Sequence, residues 1–108
     1  IASGAPEAAL ASLAQAQAIY ARLFGPGNAA VGDAEFYMAE AESRRGRLVP
    51  ALAHIARAKR IYDAEYGPDD PDQAELLLLR ARVLAAGGQT GDADAACQAG
   101  LALHQRLG

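Results

Sequence analysis

The chain has 108 residues, of which 52% are hydrophobic and 21% charged; these values are typical of one globular domain and exclude a disordered tail. A net charge of −3 gives no general attraction to nucleic acid or to an anionic membrane, so neither is an expected partner. The single cysteine, Cys97, excludes an internal disulfide, and apolar runs of only four residues are far below the ~20 that span a bilayer. We therefore expect a soluble, cytoplasmic protein.

The same composition predicts an all-α fold. Alanine and leucine, which lead the helix scale, occur 28 and 13 times, against 3 valines, 4 isoleucines and 1 threonine. The first ten residues, IASGAPEAAL, lack the basic region of a signal peptide, and we interpret them as a fragment or processed terminus of a longer protein. Glycine and proline punctuation then predicts five helices, at 5–24, 30–45, 49–66, 71–86 and 91–107.

The helices follow an internal repeat of 42 residues. The segment ALASLAQAQAIYARLFGPG begins at Ala9, and ALAHIARAKRIYDAEYGPD begins at Ala51; nine of the first 18 aligned pairs are identical. The match includes Tyr20 with Tyr62 and the Gly-Pro pair that ends each segment. Such a fixed period predicts a stack of similar helix hairpins, each too small to bury its apolar face alone.

The repeat resembles the tetratricopeptide repeat (TPR), in the 42-residue variety found in kinesin light chains and many bacterial proteins. The segment GPDDPDQAELLLLRARVLAAGGQTGDA, residues 67–93, carries the family pattern. The resemblance implies a right-handed α-solenoid in which antiparallel helix hairpins stack. It divides a single TPR-like domain, residues 1–108, into the second helix of a partial repeat at 5–24 and two repeats at 30–66 and 71–107.

In this family the first helix of each repeat lines a concave groove that holds a protein segment. Transferring the groove positions to this chain gives nine candidate peptide-binding residues: Asp33, Phe36, Tyr37, Glu40, Arg44, Glu75, Leu78, Leu79 and Arg82. Exposed aromatic and arginine side chains commonly dominate binding energy, so Phe36, Tyr37, Arg44 and Arg82 lead this set. For Phe36 and Tyr37, core packing or simple exposure stays open as the alternative.

Three charged residues occupy positions that are usually apolar in the family. Glu35 and Glu42 lie on one face of helix 30–45, and we expect either that both meet Arg80 across the packed helices or that they face water. The second interpretation turns Ala34, Tyr37, Met38 and Ala41 inward.

Catalytic and metal-binding patterns are absent from the sequence. His54 and His104 lack a metal-ligand spacing and are interpreted as helix-surface residues, and Cys97 as a packed, inert thiol. A basic cluster runs from Arg44 to Arg60, and we interpret it as solvated side chains that pair with nearby acids; contact with an anionic peptide or a phosphate is the alternative. We therefore expect no enzyme activity, no cofactor and no metal.

The expected function is that of a scaffold that binds a peptide or protein segment. A structural module that associates with itself as a homo-oligomer is the first alternative. A regulatory docking arm of a larger bacterial kinase or transcription regulator is the second, because the Gly-Pro turns resemble those of such arrays.

Overall fold

The computed structural model describes residues 5–108, which form five α-helices and no strand. The helices are α1 (Ala5–Phe24), α2 (Ala29–Arg44), α3 (Leu48–Glu65), α4 (Pro71–Ala86) and α5 (Thr90–Leu107). Each bound lies within one residue of its predicted position, so the all-α class and the five-helix division are confirmed. Residues 1–4, the beginning of the segment interpreted as a processed terminus, lie outside the described part of the chain.

The helix ends repeat at the same interval as the sequence. Asn28 and Asp70, 42 positions apart, cap α2 and α4, each accepting a hydrogen bond from a backbone N–H two residues on, at 2.9 and 2.8 Å. At the helix C-termini, positive φ angles occur at Gly25, Gly46, Gly67 and Gly88, which are two pairs separated by 42 residues. Glycine adopts this backbone conformation without steric cost, so the predicted helix stops are confirmed.

Each helix packs against the next one along the chain, and α2 also contacts α4. The main core lies between α2, α3 and α4, with small residues at the closest contacts: Ala39, Ala51 and Ala58 are completely buried. Larger side chains fill the space between them, namely Ile55, Tyr62, Leu76, Leu79 and Val83. A second, smaller cluster joins α4 to α5. Alanine at these contacts lets neighbouring helices approach closely.

The first helix contributes least to the core. α1 contacts α2 but has no fully buried residue, and several of its large apolar side chains are exposed. Its counterpart one repeat later, α3, buries Ala51, Ile55, Ala58 and Tyr62. The two helices share a sequence pattern but differ in the number of neighbours that cover them.

None of the five helices between residues 5 and 108 is long and apolar enough to cross a membrane.

Candidate functional site

The candidate site lies where α2 and α4 meet. Four of the nine predicted residues fall around one small pocket of about 130 Å³: Asp33, Phe36, Tyr37 and Glu75. The pocket is completed by Tyr62 from α3 and Asp72 from the first turn of α4. Three helices therefore converge on a concave surface that carries aromatic rings and carboxylates, as the sequence predicts for α2 and α4 but not for α3.

Two adjacent aromatic residues of α2 form one wall of the pocket. Tyr37 is 53% exposed, whereas Phe36 is half-buried and packs against the main core. Their rings meet edge to face, with centroids 5.3 Å apart. The interpretation that turns Tyr37 inward is wrong, because successive helical residues point about 100° apart and the core takes Phe36 instead. Tyr37 thus exposes its ring to solvent while the packed ring of Phe36 supports it from one side.

Asp33 is fixed in place by a hydrogen bond from α3. The hydroxyl of Tyr62 donates to Asp33 Oδ1 at 2.6 Å, and the ring of Tyr62 is buried. Burial first, and then the Asp33 carboxylate, raise the pKa of Tyr62 well above its usual range, so this hydroxyl keeps its proton. The sequence shows Tyr62 only as part of an apolar stripe; its recurrence 42 residues after Tyr20 is the one signal of a special position.

The carboxylates around the pocket repel one another. Burial is the first cause that raises the pKa of Asp72, and the charges of Asp33, Asp70 and Glu75 add to it. Among residues 5–108, no lysine or arginine lies within ion-pair distance of Asp33, Asp72 or Glu75. The pocket is consequently a patch of uncompensated negative charge beside an exposed aromatic ring. Asp72 is not among the nine residues predicted from the sequence.

One ion pair links the two helices that line the site. Arg82 Nη2 on α4 lies 3.6 Å from Glu40 Oε2 on α2, and both residues belong to the predicted set. Arg44 is exposed at the last turn of α2. Surface pairs of this kind contribute about 0–1 kcal/mol to stability.

Two leucines of the predicted set lie elsewhere. Leu79 is only 2% exposed and belongs to the main core, so it offers no surface to a ligand; its inclusion is corrected here. Leu78 is half-buried, approaches Gly100 of α5 and lines a separate pocket of about 350 Å³ between α4 and α5. Leu79 is buried because it faces α2 and α3, whereas Leu78 lies on the flank of α4 that α5 covers.

Glu35 and Glu42 do not pair with Arg80, and neither of them faces water. Glu35 is 2% exposed; its Oε1 lies 3.0 Å from His54 Nδ1, and Arg57 Nε is 3.8 Å from Oε2. Because 3.8 Å is too long for a hydrogen bond, Oε2 is buried without a partner among the described residues. Both predicted arrangements are therefore wrong, as is the assignment of His54 to the helix surface, since α3 lies against α2.

Glu42 has its own partners at the end of α2. Arg45 Nη1 donates to its carboxylate at 3.2 Å, and Arg47 Nε lies 4.0 Å away. Ala34, Met38 and Ala41 are buried, as one interpretation expected. Three members of the basic cluster thus lie beside buried glutamates: Arg45 and Arg47 next to Glu42, and Arg57 next to Glu35.

The other titratable and nucleophilic side chains considered in the sequence analysis lie away from the pocket between α2 and α4. Lys59 pairs with Asp63 at 3.1 Å, as predicted, and Gln73 also donates to Asp63 at 2.7 Å. The Lys59 hydrogen bond is the main reason why the pKa of Asp63 lies below its usual value.

Cys97 is half-buried beside the α4–α5 cluster. Within the described residues, no group of three or more His, Cys, Asp or Glu side chains is arranged to hold a metal ion.

Comparison with known proteins returned no matching family model, no matching curated protein and no matching solved structure.

Proposed function

We propose that this chain is a TPR-like module, a right-handed solenoid of helix hairpins, whose helices α2 and α4 form a groove for a segment of another protein. The 42-residue repeat of sequence, caps and glycine turns supports the proposal, as does the lateral contact between α2 and α4. The module acts by binding, without catalysis of its own.

The pocket between α2 and α4 is the observation that carries the proposal. It combines the exposed ring of Tyr37 with the carboxylates of Asp33, Asp72 and Glu75, which have no cationic partner within the described residues. A lysine or arginine side chain fits this combination, because its charge meets the carboxylates while the cation or its apolar stem lies against the ring. The expected ligand is therefore a peptide segment with a basic residue beside apolar ones.

A random 12-residue peptide display library provides the test. Peptides enriched on the protein are expected to carry lysine or arginine next to apolar residues, and their affinities are then measured by fluorescence anisotropy. Tyr37→Ala and Glu75→Lys should each weaken binding about tenfold or more, as truncation of a binding hot spot does. Leu101→Ala, at an exposed apolar position of α5, is the matched control and should leave the affinity unchanged.

The same peptides give a second, independent readout through pH. A cationic ligand favours the ionised form of Asp72, whose pKa in the free protein is raised. Affinity should therefore fall as the pH is lowered, and the fall should begin at a higher pH than an ordinary aspartate would produce. Enrichment of acidic peptides, or affinity that does not depend on Tyr37 and Glu75, would refute the assignment of the groove.

Self-association is the alternative function, because α1 exposes large apolar side chains such as Leu23 and Phe24. Sedimentation equilibrium separates the two functions: a mass that rises with concentration favours a homo-oligomer, whereas a constant monomer mass favours a module that binds other proteins. As a further alternative, the chain is a docking arm of a larger bacterial kinase or transcription regulator, and the proposed groove would bind a protein segment there as well.

A further inference from the structure

The outer face of α1 is an apolar surface that the proposed groove does not use. Leu23 and Phe24 are 67% and 61% exposed, and Ile19 and Tyr20 lie beside them, also exposed. The rings of Tyr20 and Phe24 stack with centroids 6.4 Å apart, so these side chains form one continuous patch. An exposed patch of this kind on a folded domain commonly marks an interaction site.

The internal repeat shows what covers the equivalent face elsewhere in the same molecule. Forty-two residues later, the ring centroids of Tyr62 and Tyr66 lie 5.6 Å apart; Tyr62 is buried, whereas Tyr66, the counterpart of Phe24, remains 40% exposed. The cover is helix α2: a Cβ added to Gly32 would lie 2.9 Å from Tyr62 Cε1, and the neighbouring Asp33 accepts the hydrogen bond of the Tyr62 hydroxyl. In this molecule, a buried tyrosine of this type is therefore covered by a helix that has a glycine and an aspartate at adjacent positions.

The first helix lacks such a cover. α1 is followed by α2 as α3 is followed by α4, but no described helix occupies the position that α2 holds against α3. The missing neighbour is thus defined by shape and by chemistry: an antiparallel amphipathic helix, closely packed, with a carboxylate near the Tyr20 hydroxyl.

One side chain of this occupant must differ from that of α2. In α2, the buried Glu35 meets His54 and Arg57 of α3. The equivalent positions in α1 are Ser12 and Gln15, which carry no charge, so a buried carboxylate there would have no counter-ion. The second repeat has Leu77 at the Glu35 position, and an apolar residue is the side chain that suits α1.

We propose that the outer face of α1 binds one amphipathic helix of a partner protein. This helix presents glycine or alanine to Tyr20, an aspartate next to it, and a leucine-like residue three positions after the glycine. A folded second copy of the chain does not supply it, because α2 and α4, the two helices with this pattern, are already enclosed by their own neighbours. Unlike the groove ligand, this partner is helical and apolar, so the two proposals stand separately.

A synthetic peptide tests the proposal. Its sequence is that of residues 29–44 with Glu35 replaced by Leu, and it is titrated to about 1 mM into ¹⁵N-labelled protein, since a 16-residue helix is marginal alone in water and folds on binding. Chemical-shift changes are expected in α1 and should saturate. A control peptide that also carries Gly32→Leu cannot approach Tyr20 and should bind at least tenfold more weakly.

Two protein variants complete the test. Ile19→Glu places a charge at the counterpart of Ile61, which lies against Gly32 of α2, and should abolish the shifts. Val49→Glu, at an 80% exposed apolar position on α3, should leave them unchanged. Absence of saturable shifts with the first peptide, equal binding of the Gly32→Leu peptide, or shifts confined to α3, α4 and α5 would overturn the proposal. Shifts in α2 are compatible with it, because the bound helix should contact α2 as α2 contacts α4. A dimer that Ile19→Glu dissociates would also overturn it, since a second copy would then be the occupant.

Discussion

Replacement of the buried Glu35 by leucine should make the protein more stable. The wild-type carboxylate is 2% exposed and leaves Oε2 without a hydrogen-bond partner among the described residues. Position 77, one repeat later, holds leucine at the equivalent place, in a cavity between α3, α4 and α5 that corresponds to the one Glu35 lines between α1, α2 and α3. There it is half-buried, and alanines stand at the positions of His54 and Arg57. The fold therefore accommodates leucine at this point of the repeat.

The magnitude follows from the contacts that are lost and gained. Removing a buried, unsatisfied oxygen is worth about 1–3 kcal/mol, and burying a leucine side chain about 1.5–3 kcal/mol. Against this stand the His54 hydrogen bond, about 0.5–1.5 kcal/mol net, and the pair with the half-exposed Arg57, about 0–1 kcal/mol. Some of the leucine term is lost to imperfect packing, so the expected net stabilisation is about 1–3 kcal/mol.

Urea unfolding followed by circular dichroism measures this difference, with thermal unfolding as a second assay. For a domain of this length, 1 kcal/mol corresponds to a shift in Tm of roughly 4 °C, so an increase of about 4–12 °C is expected. Glu35→Met, which keeps the unbranched path of glutamate, controls for the shape of leucine. Glu35→Gln retains a buried polar group and should not be stabilising.

The reasoning fails if both Glu35→Leu and Glu35→Met lose more than about 1 kcal/mol. Such a result would mean that the pairs with His54 and Arg57 are together net favourable and that Oε2 is satisfied in solution. A double-mutant cycle with His54→Leu would then measure the coupling directly, because the two side chains are in contact.

Three further predictions concern other contacts. Gly32→Ala should cost about 1–3 kcal/mol in urea unfolding because its Cβ would meet the buried Tyr62 ring at 2.9 Å, whereas Gly91→Ala, which meets nothing within 4 Å, should be neutral or gain up to about 1 kcal/mol. Tyr62→Phe should cost about 1–2 kcal/mol because it removes the hydrogen bond to Asp33, and a cost no larger than that of Tyr66→Phe would contradict this role. The lowered pKa of Asp63 stabilises the fold above the pKa of the unfolded chain, and this contribution disappears as the pH falls through the folded value. Stability of Asp63→Asn should accordingly depend less on pH below about 4 than that of the wild type, and parallel curves would exclude the effect.

Local signals made the helices predictable. Glycines mark the C-termini of α1 to α4, and Asn28 and Asp70 cap the starts of α2 and α4; these signals act within a few residues. The 42-residue repeat then predicted which helix faces share a pattern. Helix bounds accurate to one residue follow from this local control.

Partners across the fold were not predictable in the same way. The pairing of Glu35 with His54 joins residues 19 positions apart, and it depends on the rotation of α2 against α3 by a fraction of a turn. The same rotation decides that Phe36 enters the core while Tyr37 remains outside. Sequence periodicity identifies a broad apolar stripe on α2 but not the edges of that stripe. Glu35, Phe36 and Tyr37 lie at those edges.

The unequal covering of the helices implies a gradient of local stability along the chain. α1 contributes no buried side chain, whereas α3 lies between two neighbours, so amide protons of α1 should exchange with solvent through small openings while those of α3 await global unfolding. A partner helix that covers α1 would therefore also change the local stability of α1. It would extend the cooperative unit by one helix and raise the free energy of that opening, coupling occupancy at this end of the molecule to protection from proteolysis.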